Sequence, residues 1–176
     1  MLARSLARRK LRDKFTFREA VSAHSCSVIT KRIQEAGLIL PQVNPPIASY
    51  VPAVRSGSTI LTSGQLPMKE GQLLMTGIMT GSRSLEEAQS AMKQCFLNAI
   101  AAALLVARED EIKGVLKLGA FVASAPDFTD QHKVANGASD LAKLIFGDAG
   151  VHARFAVGVA SLPVNATVEL EVIFSV

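Results

Sequence analysis

A strand–helix–strand passage that occurs twice limits the folds open to this chain. Two short strands lie in YVPAVRSG and STILTSGQLP, with Ser56-Gly57-Ser58 as the turn between them. A long helix follows from Leu85, and then come a strand over residues 112–123, a second helix over 131–146 and two final strands. Both helices would pack on one face of a mixed sheet. The sequence therefore predicts an α+β two-layer sandwich.

The helices are marked by their ends as well as by their periodicity. Ser84 and Glu87 have the spacing of a capping box, in which the serine hydroxyl accepts from a first-turn amide and the glutamate reaches back. Apolar residues then recur at spacings of three and four, namely Leu85, Ala88, Met92, Cys95, Phe96, Ala99, Ala103 and Val106. Gly147 stops the second helix. A shorter helix is predicted over 28–38, before the three prolines of LPQVNPP break the chain.

Composition and charge exclude several classes of protein. The chain of 176 residues suits one domain. No apolar run reaches the roughly 18 residues needed to cross a bilayer, so no membrane partner is expected. Residues 1–33 hold nine basic and two acidic side chains, whereas the remaining 143 residues hold ten basic and thirteen acidic ones. The main part of the chain is therefore mildly acidic, which argues against a nucleic-acid partner. The two cysteines, Cys26 and Cys95, lie far apart without metal-ligand spacing.

The first 26 residues have the composition of a leader. They are rich in Arg, contain Ser and include no acidic residue before Asp13, as in a mitochondrial transit peptide. The alternative is a basic tail added by an upstream start codon. We therefore expect the mitochondrial matrix, with the cytoplasm as the alternative. The chain then has three parts: the leader 1–26, an N-terminal helix with a Pro-rich connection over 27–45, and the main domain over 46–176.

The final two strands, in HARFAVGVASLPVNATVELEV, combine apolar alternation with three charged residues. Alternation divides each strand into a predicted core face and an opposite face. The core faces consist of Phe155, Val157 and Val159 on the first strand and Val168, Leu170, Val172 and Phe174 on the second. The opposite faces carry Arg154, Ala156 and Gly158 on the first strand and Glu169 and Glu171 on the second.

If these strands form a hairpin that turns near Leu162-Pro163, Arg154 pairs with the region of Glu169 and Glu171. One interpretation is a solvated cross-strand ion pair, worth about a few tenths of a kcal/mol. The other is an anion-binding Arg beside a carboxylate that moves protons, above small residues that admit a ligand. Spacing alone favours the ion pair, and the small residues favour the ligand site. The sheet face without helices also carries many apolar residues, so we expect an oligomer.

The same stretch resembles the C-terminal signature of the RidA family, also called YjgF and, in an older name, endoribonuclease L-PSP. The similarity extends through ASYVPAVRSGSTILTSGQLP and AFVASAPDF, and covers residues 46–176 in the right order. The resemblance implies a chorismate-mutase-like fold, a homotrimer and ligand sites in the clefts between subunits. It also implies hydrolysis of enamine or imine intermediates, such as 2-aminoacrylate, to 2-keto acids and ammonia. Family members of this kind use no metal or organic cofactor, so none is expected here.

The resemblance also assigns site residues. Arg154 matches the Arg that holds the substrate carboxylate, and Glu169 matches the Glu that positions or activates the attacking water. Tyr50 and Ser63 match residues that line the same cleft. Gly64 would allow a close approach of the backbone there. A carboxylate clamp, a held water and a proton donor would suffice for this chemistry.

Departures from the family pattern leave other functions open. Ala156 stands where deaminase-type members usually have Cys, and Gly158 stands where they often have Glu, so both positions predicted to face the ligand carry small residues. The stretches HARFAVGVASLP and NGASDL resemble a divergent branch of the family more than its archetypal deaminase branch. The alternatives are a non-catalytic trimer that binds small carboxylates or regulates, and a ribonuclease, which the acidic domain disfavours. His152 is interpreted as an ordinary loop histidine, with a proton relay as the alternative.

Overall fold

The fold is described from a computed structural model over residues 28–43 and 49–176. The predicted leader 1–26, residue 27 and part of the Pro-rich connection lie outside the described residues, so the transit peptide and the matrix location stay predictions. Three helices and seven strands are present in the described ranges. They are α1 Val28–Glu35, β1 Ala53–Ser56, β2 Thr59–Thr62, β3 Met68–Lys69, β4 Gln72–Leu73, α2 Leu85–Ala103, β5 Gly114–Ala123, α3 Gln131–Phe146, β6 Ala153–Val159 and β7 Val168–Ser175.

Five strands form one mixed sheet in the order β1-β2-β7-β5-β6. The pair β5–β6 is parallel and the other neighbours are antiparallel. α2 packs on β7 and β2, and α3 packs on β5 and β6, so both long helices cover the same face. The prediction of an α+β sandwich with a mixed sheet is confirmed. The short hairpin β3–β4 is an addition to the predicted elements.

The final two strands do not form a hairpin, so this prediction is wrong. β5 lies between β6 and β7, and it pairs with both. β6 is therefore an edge strand, and its parallel pairing with β5 requires the α3 crossover. A hairpin and a split pair both satisfy the alternation pattern, because alternation fixes the faces of a strand and not its neighbours.

The register also reverses the face predicted for β6. Leu118 of β5 pairs with Arg154 on one side and with Val172 on the other, and both apolar residues are buried under the helices. Arg154 therefore lies on the helix-covered face, at the edge of the sheet. Phe155 and Val157 lie on the open face, where Val157 is 42% exposed. The core face predicted for β7 is confirmed, since Val168, Leu170, Val172 and Phe174 are all buried.

The starts of the helices follow the sequence closely, whereas α1 ends at Glu35 and not at the predicted residue 38. α2 and α3 begin at the predicted residues, and Gly147 follows the last residue of α3 with a φ of 62°. Ser84 caps α2, since its Oγ accepts a hydrogen bond of 3.2 Å from the Glu87 amide. The return half of the predicted capping box differs, because the Ser84 hydroxyl lies 3.1 Å from the carboxylate of Glu86. None of the described helices is long and apolar enough to cross a membrane.

Candidate functional site

An irregularity at the end of β2 shapes the candidate site. Leu61 pairs with Ile173, and the next bridge joins Gln65 to Leu170. Between these two pairs the chain advances by four residues on the β2 side and by three residues on β7. The extra residue makes segment 62–64 bulge out of the regular ladder.

Gly64 lies in this bulge, directly against the side chain of Glu169. A Cβ on Gly64 would overlap Oε1 of Glu169 and would lie 2.8 Å from its Cδ. A side chain at position 64 would therefore displace the Glu169 carboxylate, which lies on the bare main chain. Oγ1 of Thr62 accepts a hydrogen bond of 3.0 Å from the Val172 amide, which ties the bulge to β7. The bulge is thus part of the sheet.

Ser63 joins this bulge to the segment that enters β1. Its hydroxyl donates a hydrogen bond of 2.7 Å to the carbonyl of Val51, and its amide donates one of 2.9 Å to the carbonyl of Pro52. Tyr50 directly precedes this segment and is 44% exposed. The structure thus brings Gly64 to Glu169, with Ser63 next to Gly64 in the chain, and places Tyr50 at the end of the segment that holds Ser63.

Glu169 is half-buried on the open face of the sheet. Burial raises the pKa of its carboxyl group above the ordinary value, and the negative charge of Glu171 raises it further. Among residues 28–43 and 49–176, no side chain or amide makes a hydrogen bond or ion pair with this carboxylate. The Glu169 carboxylate therefore takes up a proton more readily than the carboxylate of an exposed glutamate does. This property suits a general base.

Replacing Glu169 by Gln is expected to stabilise the folded protein at neutral pH. Because the pKa is raised on folding, the native state binds more protons than the unfolded state between the ordinary and the raised value. Stability then falls as the pH rises through that window, and the cost of the buried charge persists above it. We expect a higher Tm for Glu169→Gln than for the wild type at pH 7, with the difference shrinking toward about pH 4. Glu70→Gln, in the exposed β3–β4 turn, is the matched control, and an equal difference for Glu169→Gln at both pH values would contradict the raised pKa.

Arg154 lies in a second cluster, at the edge of the sheet beside α3. Its Nη1 donates hydrogen bonds of 2.9 Å to Oδ1 of Asn136 and of 2.9 Å to Oγ of Ser139. Its Nη2 lies 3.3 Å from the backbone carbonyl of His132, which accepts from it. All three acceptors are uncharged. Within the part of the chain that the structure describes, Arg154 makes no ion pair.

The predicted pairing of Arg154 with the region of Glu169 and Glu171 is wrong within one chain. Glu169 pairs with Phe121, which pairs with Val157 on the open face, whereas Arg154 lies on the helix-covered face. The two charges are separated by a strand and by the sheet itself. Neither the solvated ion pair nor a single-chain ligand site therefore forms between them.

Ala156 and Gly158 share the face of Arg154, as predicted, but this face packs against protein. Ala156 packs against the core under α3. A Cβ on Gly158 would lie 2.6 Å from Oγ of Ser124 and 2.8 Å from Nε2 of Gln131. The small residue at position 158 thus has a packing reason, which the sequence pattern did not indicate.

The open face of the sheet is apolar apart from a few charges. Val54, Leu61 and Val157 are 48%, 39% and 42% exposed, respectively. The rings of Phe121 and Phe155 meet edge to face on this side, with centroids 5.4 Å apart. An exposed face of this composition is a candidate surface for contact with another chain.

Two cavities lie apart from these clusters. The cavity between segments 39–43 and 68–71 has a volume of about 640 Å³, and another at the start of α3 has about 230 Å³. Neither Glu169 nor Arg154 lines either of them. Among the described residues, no group of three or more His, Cys, Asp or Glu side chains is arranged to hold a metal ion.

The sequence reasoning missed Asn136, Ser139 and Gln131. Asn136 lies four residues after His132 on α3, and Ser139 lies three residues after Asn136, so His132, Asn136 and Ser139 share one helix face. This spacing, which includes two residues of the NGASDL stretch, was the available signal for Asn136 and Ser139. What could not be read from it is that this face meets β6.

The mixed sheet, with both long helices on one face, defines an α+β protein of the chorismate-mutase-like class. Comparison with known proteins agrees. The family model described as YjgF/chorismate mutase-like, and as a candidate endoribonuclease, matches residues 30–175. The chain therefore belongs to the YjgF family, also known as the RidA family.

Individual proteins that are similar to this chain come from several kinds of organism. Protein TCP17 of Trypanosoma cruzi is 41% identical over 145 residues, which span 81% of this chain and 91% of that protein. The solved structure of Atu1372 from Agrobacterium tumefaciens, a protein of unknown function, is 43% identical with a TM-score of 0.76, and covers 85% of this chain and 92% of that one. The 2-iminobutanoate/2-iminopropanoate deaminase of Dermatophagoides farinae is 33% identical over 131 residues, which span 74% of this chain and 88% of that protein.

Proposed function

We propose that the protein hydrolyses small imine or enamine carboxylates, of the 2-aminoacrylate type, to 2-keto acids and ammonia. The observation that carries this proposal is the half-buried carboxylate of Glu169, which has a raised pKa and lies on the bare backbone of Gly64. The relationship to a 2-iminobutanoate/2-iminopropanoate deaminase supports the same chemistry.

The reaction needs proton transfer at three points. Glu169 takes a proton from water as the water oxygen bonds to the carbon of the protonated imine, and a neutral carbinolamine forms. The glutamic acid then returns this proton to nitrogen. The carbon–nitrogen bond breaks and the nitrogen leaves as ammonia, while Glu169 takes the proton of the hydroxyl group as the carbonyl forms and passes it to solvent. An enamine substrate first becomes this imine by taking up a proton from solvent at carbon. A carboxyl group with a raised pKa suits both directions of transfer, because its pKa lies closer to neutral pH, where the group can both take up and release a proton. The imine carbon is already electrophilic, so no further activation is required.

The substrate carboxylate is held, in this proposal, by Arg154 of a second copy of the chain. Arg154 has a planar donor fork that suits a carboxylate, and its present partners are all uncharged. It cannot reach Glu169 of its own chain, because the sheet lies between them. The apolar open face and the absence of both residues from the two described cavities favour a cleft between copies. A homotrimer is the assembly we propose, with Tyr50 and Ser63 lining the cleft.

The direct test is ammonia release from freshly generated 2-aminoacrylate. We expect the purified protein to accelerate release over the buffer rate, with 2-ketopropanoate as the coupled product. Equal rates with and without protein would contradict the proposal.

The second candidate is a trimer that binds small carboxylates without turning them over. The preoriented guanidinium of Arg154 favours it, since binding needs no base. It predicts that 2-ketobutyrate raises the Tm of the wild type and not that of Arg154→Ala, while ammonia release stays at the buffer rate. Turnover above that rate would contradict it.

A further inference from the structure

Arg154 is the last member of a series of hydrogen bonds that runs from Gly150 through His152 and Ser139. His152 Nδ1 lies 2.6 Å from the carbonyl oxygen of Gly150, and His152 Nε2 lies 3.0 Å from Oγ of Ser139. Ser139 Oγ in turn accepts from Arg154 Nη1 at 2.9 Å. These four residues come from the turn after α3, from α3 itself and from β6.

The proton positions along this chain follow from the Gly150 carbonyl. A carbonyl oxygen only accepts, so Nδ1 of His152 must carry the proton. In the neutral imidazole Nε2 is then an acceptor, and the Ser139 hydroxyl donates to it. The serine hydrogen is committed to His152, so the serine oxygen presents its lone pairs to Arg154. The histidine thereby fixes the serine as an acceptor for the guanidinium.

Asn136 completes the arrangement from one turn earlier on α3. Its Oδ1 accepts from the same Nη1 at 2.9 Å, so two acceptors on one helix face hold one nitrogen. A long, exposed Arg side chain otherwise loses rotamer entropy when a ligand fixes it. Here the folded protein has already fixed it.

We propose that His152, Ser139 and Asn136 are positioning residues that hold the Arg154 guanidinium in the orientation that binds the substrate carboxylate. The inference rests on the proposed function, because it gives Arg154 the role of the carboxylate clamp. It extends that function by naming residues that touch no substrate and act only through Arg154. It also interprets His152 as a fixed hydrogen-bond acceptor for Ser139 and not as a proton relay.

The test is a double-mutant cycle on binding, with 2-ketobutyrate as the probe and its Kd measured by calorimetry. We expect Ser139→Ala to weaken binding roughly tenfold, because a hydrogen bond to a charged group is lost. Ser139→Thr keeps the hydroxyl and is expected to restore most of the affinity. In the Arg154→Ala background, Ser139→Ala should change nothing further. Ser90→Ala, at an exposed serine of α2, is the matched control and should leave Kd unchanged.

Each result decides a different question. If the wild type neither binds 2-ketobutyrate nor releases ammonia, the proposed function fails, and the clamp fails with it. If the wild type binds and Ser139→Ala binds equally well, only the positioning inference is overturned. A loss of equal size in the Arg154→Ala background would also overturn it, because Ser139 would then act through the fold as a whole.

A second measurement tests, without any ligand, which atoms donate and which accept in this series of hydrogen bonds. Long-range proton–nitrogen NMR correlation distinguishes the two neutral tautomers of a histidine. We expect His152 to carry its proton on Nδ1, with His152→Ala weakening 2-ketobutyrate binding severalfold as Ser139 loses its fixed acceptor. A proton on Nε2 would overturn the proposed direction.

Discussion

Glu169→Gln is expected to lower kcat for 2-aminoacrylate hydrolysis by about 10²- to 10⁴-fold, which is the usual contribution of a positioned general base. Gln has nearly the shape of Glu and fits over Gly64, but it cannot accept the proton of the attacking water. KM should change little, because the proposed carboxylate clamp is Arg154. Steady-state ammonia release on the purified variant measures both quantities.

The control for this experiment is Glu70→Gln, at an exposed glutamate in the β3–β4 turn, which should keep full activity. Measuring stability together with activity shows whether the loss of activity comes from the missing base or from unfolding. Glu169→Gln should be more stable than the wild type at neutral pH and yet inactive, whereas an unfolded or loosened variant would lose both properties. Retention of more than about a tenth of kcat would rule out Glu169 as the base.

Gly137→Ala is expected to destabilise the fold by about 1–3 kcal/mol, although Ala is the better helix former. A Cβ at this position would overlap the carbonyl oxygen of Gln89 and would lie 2.9 Å from its Cα. The obstacle is backbone, which cannot rotate away, so α2 and α3 would have to separate. The Tm in thermal unfolding should fall by roughly 2–4 °C for each kcal/mol in a chain of this size.

Gly81→Ala is the matched control for this substitution. No atom lies within 4 Å of a Cβ built at Gly81, and its φ is not positive. This variant should be neutral or slightly more stable than the wild type, because Ala restricts the unfolded chain. If Gly137→Ala unfolds at the same temperature as Gly81→Ala, the close approach of the two helices is not a constraint.

The helices and the fold class could be predicted from sequence because their signals are local. Ser84 marks the start of α2, Gly147 marks the end of α3, and a period of three and four residues fills both helices. These features depend on residues within a few positions of each other. The order of strands has no such local signal.

The sequence assigned residues to the candidate site, but the arrangement that it predicted for Arg154 was wrong. Alternation placed Arg154 and Phe155 on opposite faces correctly, but it could not say which face the helices cover. That choice depends on the pairing of Leu118 with Arg154, a contact between residues far apart in the chain. The grouping of Ser63 and Gly64 with Glu169 came from the family resemblance, and its physical cause is the bulge, which leaves no mark on the local sequence.

The bulge over segment 62–64 has a consequence for ligand selection if Glu169 acts as proposed. The floor under Glu169 is held by the Thr62 hydrogen bond to the Val172 amide and by the bridge between Gln65 and Leu170, so widening it would break sheet hydrogen bonds. The floor therefore has its shape before any ligand arrives. Discrimination on this side of the proposed site would then come from a rigid fit, in which an oversized side group is rejected on contact.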